Sequence, residues 1–167
     1  MAGDWKAFLR LDDRTLSKQC RVERYRASGP GGQRRNKRET AVRLRHEPTG
    51  IVVHADGSRS QNENLVRALR RLRVEIASGL RSDLDLDDPV LAPEFMAQRG
   101  PRGGLRVRRG NPAYPFVAAS VLDGLEAAGG SFARAGRLVG LSTSQVVRFL
   151  RADPRLWRAA QRVRLRR

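Results

Sequence analysis

The 167 residues carry 34 Lys+Arg against 17 Asp+Glu, a net charge of +17, and Lys6, Lys18 and Lys37 are the only lysines. That length fits one medium domain or two small ones, and an arginine excess this large is the footprint of a polyanion-binding protein, nucleic acid first. A lone cysteine, Cys20, excludes a disulfide framework, and two histidines without carboxylates at matched spacing leave no expected metal or cofactor.

The start M-A-G-D-W-K is not a secretory signal, and the longest apolar run, 116–122, is too short to span a bilayer. A cytoplasmic protein with no membrane partner is expected. Asp12 is placed to cap a short helix running to Cys20, and residues 20–26 alternate as a strand. T-A-V-R-L-R-H (40–46) alternates cleanly, with Val42 and Leu44 on one face and Arg43 and Arg45 on the other. The E-P-T-G turn (47–50) leads to a partner strand, I-V-V-H-A-D (51–56), which makes a hairpin. Ser60 and Glu63 then spell a capping box for a helix whose buried stripe is Leu65, Leu69, Leu72 and Ile76. His46 reads as a hydrogen-bonded strand residue rather than a catalyst. The expected domain, residues 1–80, is a small α+β unit with a helix covering one face of a sheet.

Between the first two strands lies S-G-P-G-G-Q (28–33). Glycines at 29, 31 and 32 suit contact between main chain and ligand. The loop lacks the G-K-[ST] ending of a P-loop, so triphosphate binding is set aside. Gln33 does not titrate and is no general base. Its backbone N–H and side-chain amide are donors for an oxygen that gains charge during a reaction. Arg34, Arg35, Lys37 and Arg38 would hold phosphates around it.

The run S-G-P-G-G-Q-R-R-N-K-R-E-T-A-V-R-L-R-H-E-P-T-G-I-V-V, followed by R-S-Q-N-E-N (59–64), closely resembles the catalytic domain of class I peptide chain release factors and related ribosome-rescue peptidyl-tRNA hydrolases. The likeness covers about residues 15–80. The family pattern often has His or Asn after the glutamine and Ser before A-V-R-L; Arg34 and Thr40 stand there in this chain. The resemblance implies that the loop enters the large-subunit rRNA at the peptidyl-transferase centre and that water attacks the peptidyl-tRNA ester. Gly31, Gly32 and Gln33 would be the catalytic residues, the Gln33 N–H stabilising the transition state. Lys37 and Arg59 would contact rRNA, and no metal or nucleotide is implied. Neither a P-x-T nor an S-P-F tripeptide of the kind used to read stop codons is present. Codon-independent release by a monomer is therefore expected.

Residues 81–111, acidic and then rich in glycine and arginine, read as a linker that tethers or touches RNA. From 112 the pattern is all-helical. Pro112 and Pro115 open a helix carrying Val117, Val121, Leu122 and Leu125, and Ala135 and Gly136 are small enough for a helix crossing. Gly140 allows a turn plugged by Leu141, and Ser142 with Gln145 forms a second capping box. Val146 and Leu150 face inward, and Asp153-Pro154 starts a last helix with Leu156, Trp157, Ala160 and Val163 on one side. The spacing resembles a bacterial helix-turn-helix, which would put Thr143, Ser144, Gln145 and Arg148 at a nucleic-acid groove. Two other readings stay open: a helical bundle that binds protein or docks, and a nucleic-acid-binding regulator or ribosome-associated factor with an inactive catalytic domain.

Overall fold

A computed structural model describes residues 5–26, 40–101 and 103–166, and they form two compact units. One comprises residues 7–76. The other comprises residues 77–166 together with Trp5 and Lys6. The architecture is mixed α+β, a three-stranded antiparallel sheet with helices in the first unit and helices alone in the second.

The chain opens with α1 (Lys6–Arg10) and α2 (Asp13–Lys18). Asp12 caps α2 by accepting from the Thr15 N–H at 2.7 Å. Strands β1 (Cys20–Tyr25), β2 (Ala41–His46) and β3 (Val52–Ala55) follow in spatial order. Val42, Leu44, His46, Val53 and Ala55 are buried on one sheet face, while Arg43, Arg45, Val52 and His54 are exposed on the other. The period-two alternation read from β2 is thus the register of the fold.

Helix α3 (Gln61–Gly79) buries Ala68, Leu69, Leu72 and Ile76. Leu65 is only half-buried, and the fully buried position one residue earlier belongs to Asn64. The capping box at its start is half made. Ser60 Oγ accepts from the Glu63 N–H at 3.3 Å, but Glu63 does not return to the Ser60 N–H. The Ser58 hydroxyl stands between them, accepting from the Ser60 N–H at 3.0 Å and donating to Glu63 at 2.6 Å.

In the second unit, part of the stretch expected to be a flexible tether is folded. Helix α4 (Pro93–Met96) buries Phe95, and Arg99 pairs with Leu105 in an isolated antiparallel bridge. The Arg99 guanidinium donates to the Gly140 carbonyl at 2.8 Å, a cation at a helix C-terminus. Helix α5 (Tyr114–Ala127) is buried from Tyr114 to Leu125, on all sides rather than along one stripe. It packs on α6 (Phe132–Val139) and α8 (Pro154–Leu165), and α7 (Thr143–Arg151) packs on both of those.

Two buried aspartates hold this unit. Asp123 on α5 receives Lys6 at 2.8 Å, Arg81 at 3.3 Å and the Ser82 N–H at 3.0 Å. Asp153 caps α8 through the Arg155 N–H and takes that residue's guanidinium at 2.8 and 3.1 Å. Burial pushes the Asp153 carboxyl up, but the Arg155 hydrogen bonds outweigh it and hold the carboxyl below the usual aspartate range.

The α6–α7 turn depends on two glycines. Gly140 takes the left-handed conformation (φ 66°, ψ 37°) that ends α6. A Cβ on Gly136 would lie 2.5 Å from the Leu141 carbonyl oxygen, at the point where Leu141 N–H bonds Gly136 O at 2.7 Å. Gly136→Ala should therefore destabilise the unit by about 2–3 kcal/mol, whereas Gly110→Ala, with open space around it, should stay within about 0.5 kcal/mol of the parent. Urea unfolding followed by circular dichroism measures both, and equal effects would refute the close approach at Gly136.

Candidate functional site

The residues read as catalytic, Gly31, Gly32 and Gln33, lie outside the described residues, as do Arg34, Arg35, Lys37 and Arg38. The structure does place the ends of the connection that carries them. Tyr25 at the end of β1 pairs with Ala41 at the start of β2, so residues 26 and 40 leave the sheet side by side.

Asn64 secures that stem. Its Nδ2 donates to the Thr40 carbonyl at 2.7 Å and the Ser58 carbonyl at 2.9 Å, while its Oδ1 accepts from the Ser58 N–H at 3.0 Å. The side chain is fully buried and three of its four hydrogen-bonding positions are filled. One amide thereby joins the start of β2, the turn before α3 and the first turn of α3. Arg59 sits exposed on that turn, so the structure brings this predicted contact residue to the end of the sheet from which the connection leaves. Asn64 is the last residue of the R-S-Q-N-E-N stretch, and its bridging role does not follow from that motif. The signal that would have found it is a polar side chain at a position where helical periodicity asks for an apolar one.

The outer face of the sheet adds a basic surface that was not designated. Arg21 lies opposite Arg45, and Glu23 opposite Arg43. Glu23 serves both Arg21, at 3.3 Å, and Arg43, at 3.5 Å. Like charges directly opposite one another cost a sheet a fraction of a kcal/mol, so Arg21 facing Arg45 is a pairing that folding does not ask for.

His46 is fully buried. Its Nδ1 meets the Thr49 hydroxyl at 2.8 Å, its Nε2 meets Gln19 Oε1 at 3.2 Å, and Phe8 packs edge-on at 4.9 Å. With Gln19 accepting, Nε2 carries the proton and Nδ1 accepts from Thr49. Burial holds the imidazole pKa below its ordinary value. Cys20 is inert by the same physics, its thiol pushed up to about 11 chiefly by burial. Among the described residues no group of three or more His, Cys, Asp or Glu is arranged to hold a metal ion.

In the helical unit, Arg148 is exposed on α7 with Thr143 and Ser144. Gln145 is half-buried and committed to the α7 capping box: its Oε1 accepts from the Ser142 N–H at 2.8 Å and its N–H donates to Ser142 Oγ at 3.2 Å. The capping box expected of Ser142 and Gln145 is thus formed. No described helix is long and apolar enough to cross a membrane.

The RF-1 domain family model matches residues 13–88, a span enclosing the sheet, the glycine loop and α3. Peptide chain release factor 2 of Helicobacter pylori (strain Shi470) is 51% identical over 125 residues, covering 68% of this chain and 33% of that protein. Peptide chain release factor 2 of Sulfurovum sp. (strain NBC37-1) is 48% identical over 63 residues, covering 38% of this chain and 17% of the relative. Peptide chain release factor 1 of Geobacter sulfurreducens shows 48% identity over 63 residues, covering 38% and 18% respectively. The chain spans a third or less of the length of these relatives.

Asn64→Asp, nearly isosteric, turns a donor toward the Thr40 and Ser58 carbonyls into an acceptor and should cost about 3 kcal/mol in urea unfolding at neutral pH. A cost below about 1 kcal/mol would refute the bridging role. His46 gives a pH signature. The unfolded chain takes up its proton near pH 6.5, whereas folded His46 takes it up only at lower pH, so stability should fall as pH drops below about 6.5. Unfolding midpoints at pH 7.5 and 5.5 should differ less in His46→Gln than in the parent.

Proposed function

We propose, from the premise that the chain belongs to the class I peptide chain release factor family through its RF-1 domain, that it hydrolyses the peptidyl-tRNA ester on the ribosome without reading a stop codon. The observation that carries this reading is the match over residues 13–88, which encloses G-G-Q on a connection whose stem Asn64 holds.

The chemistry follows from the donors. Water attacks the ester carbonyl, negative charge grows on oxygen, and the Gln33 backbone N–H meets it; one such donor is worth about 10²–10³ in rate. The Gln33 side chain shapes the space for water and excludes larger nucleophiles. Gly31 and Gly32 give the backbone the freedom to present the amide. Arg34, Arg35, Lys37, Arg38 and Arg59 hold rRNA phosphates around the loop, and Arg148 adds a contact from the helical unit. The relatives are named as release factors 1 and 2. Residues 77–167 carry neither the P-x-T nor the S-P-F tripeptide, and this supports release on stalled ribosomes rather than at a stop codon. The partners on this reading are the ribosome and peptidyl-tRNA, and the chain acts as a monomer.

Ribosomes carrying labelled peptidyl-tRNA and lacking a codon in the decoding site should release peptide when this protein is added. Gln33→Ala should slow that release by about 10²–10³. Equal release by parent and variant would remove Gln33 from the mechanism, and release only when a stop codon is supplied would overturn codon independence.

A further inference from the structure

One surface of the helical unit carries chemistry that neither the glycine loop nor the α7 reading uses. Phe132, the first residue of α6, and Trp157, in the first turn of α8, stack with ring planes 16° apart and centroids 5.9 Å apart. Arg164 lies over the Phe132 ring at 5.0 Å and Arg151 over the Trp157 ring at 4.9 Å. The four side chains make a ladder of alternating contacts, Arg164–Phe132–Trp157–Arg151. Both aromatics are half-buried and both arginines exposed. A hollow of about 510 Å³ opens beside it, lined by Phe132 and Arg164 with Gly130, Ser131, Gln161 and Leu165.

Helix geometry assembles this patch. Trp157, Gln161 and Arg164 recur at spacings of four and three along α8 and so share one face, and Arg148 and Arg151 do the same on α7. The sequence pattern assigned Trp157 to the core side of α8, but that side is filled by Leu156, Ala159, Ala160 and Val163. Among the described residues neither Arg151 nor Arg164 enters an ion pair; Arg164 makes one long hydrogen bond, to Gln161 Oε1 at 3.5 Å. Two guanidinium groups are therefore held at rings rather than at carboxylates.

Each ring is flanked within the ladder by the other ring and by an arginine. The planes it offers to unpaired bases are therefore the exposed guanidinium groups of Arg164 and Arg151 at its two ends. Because the ladder is already assembled, little ordering is needed on binding. Paired bases hide their faces inside the duplex and gain nothing from it. We propose that the Arg164–Phe132–Trp157–Arg151 ladder and its adjoining hollow form a binding site for unpaired RNA nucleotides, with Arg148 on the neighbouring phosphate. The choice of RNA over DNA rests on the release reading of the neighbouring domain; the stacking chemistry does not.

The test uses the full chain and fluorescein-labelled, single-stranded, uridine-rich RNA bearing 4-thiouridine, read by anisotropy and by mass-spectrometric mapping of photo-crosslinks. The parent should bind this RNA more tightly than the same sequence in duplex form, with crosslinks in peptides containing Phe132 or Trp157. The double variant Arg151→Lys, Arg164→Lys keeps the charge but loses the planar groups and should bind about tenfold more weakly. Trp157→Phe should retain binding that Trp157→Leu loses, and circular dichroism melts identify any variant that fails to fold. A lysine double variant within twofold of the parent, crosslinks wholly outside residues 130–165, or a preference for duplex would overturn the proposal. Equal affinity for single-stranded DNA would overturn the RNA assignment while leaving the stacking site standing. None of these measurements needs a ribosome, so failure of the release reading and failure of this site are separate results.

Discussion

The first unit depends on one buried amide. Asn64 sits where α3 would otherwise present an apolar side chain, and it satisfies two carbonyls and one N–H from segments with no secondary-structure partner for them. Without it those part-buried backbone groups would lose their partner, each at a cost of up to about 1–3 kcal/mol. The same three bonds place the stem of the glycine loop and the turn bearing Arg59 against a single helix end. On the proposed reading, the footing of the glycine loop is what this amide supplies.

Charge is sorted between interior and surface by a different rule. Asp123 and Asp153 go fully inside, each with cations and N–H donors to compensate the loss of water. Glu23, left outside, answers two arginines. Some surface arginines are faced by rings, by a carbonyl or by another arginine instead. Arg21 stands opposite Arg45, and Arg151 and Arg164 lie over rings, an arrangement that accords with the proposed RNA contacts.

The glycine loop and the helical unit carry distinct chemistries. On the proposed reading the loop contributes a backbone donor, for which no titration is required. That accords with His46 and Cys20 being shielded, one engaged by Thr49 and Gln19 and the other by the Leu16 carbonyl. Neither of these two groups is poised to act as acid or base, and amide-based electrostatic stabilisation asks for none.

The sequence alone determined the elements whose cause is local. The Asp12 cap, the β2 alternation, the E-P-T-G turn, the Gly140 turn and the Ser142–Gln145 box each depend on residues within a few positions of one another, so their spacing reads directly as structure. The family likeness was equally legible because it lies in which residues stand together. Only the tertiary structure decided the rest. Asn64 looked like a helix residue until Thr40, 24 positions away, supplied its partner. Leu65 gave up its place in the core, and the Ser60–Glu63 box opened to admit Ser58. Residues 93–99 folded because Phe95 found a buried site and Arg99 found a helix end 41 positions on. Trp157 moved from core to ladder because Phe132, from another helix, met it face to face. In each case the deciding partner is distant along the chain and no local periodicity encodes it, so the bond exists only once the fold has brought the two together.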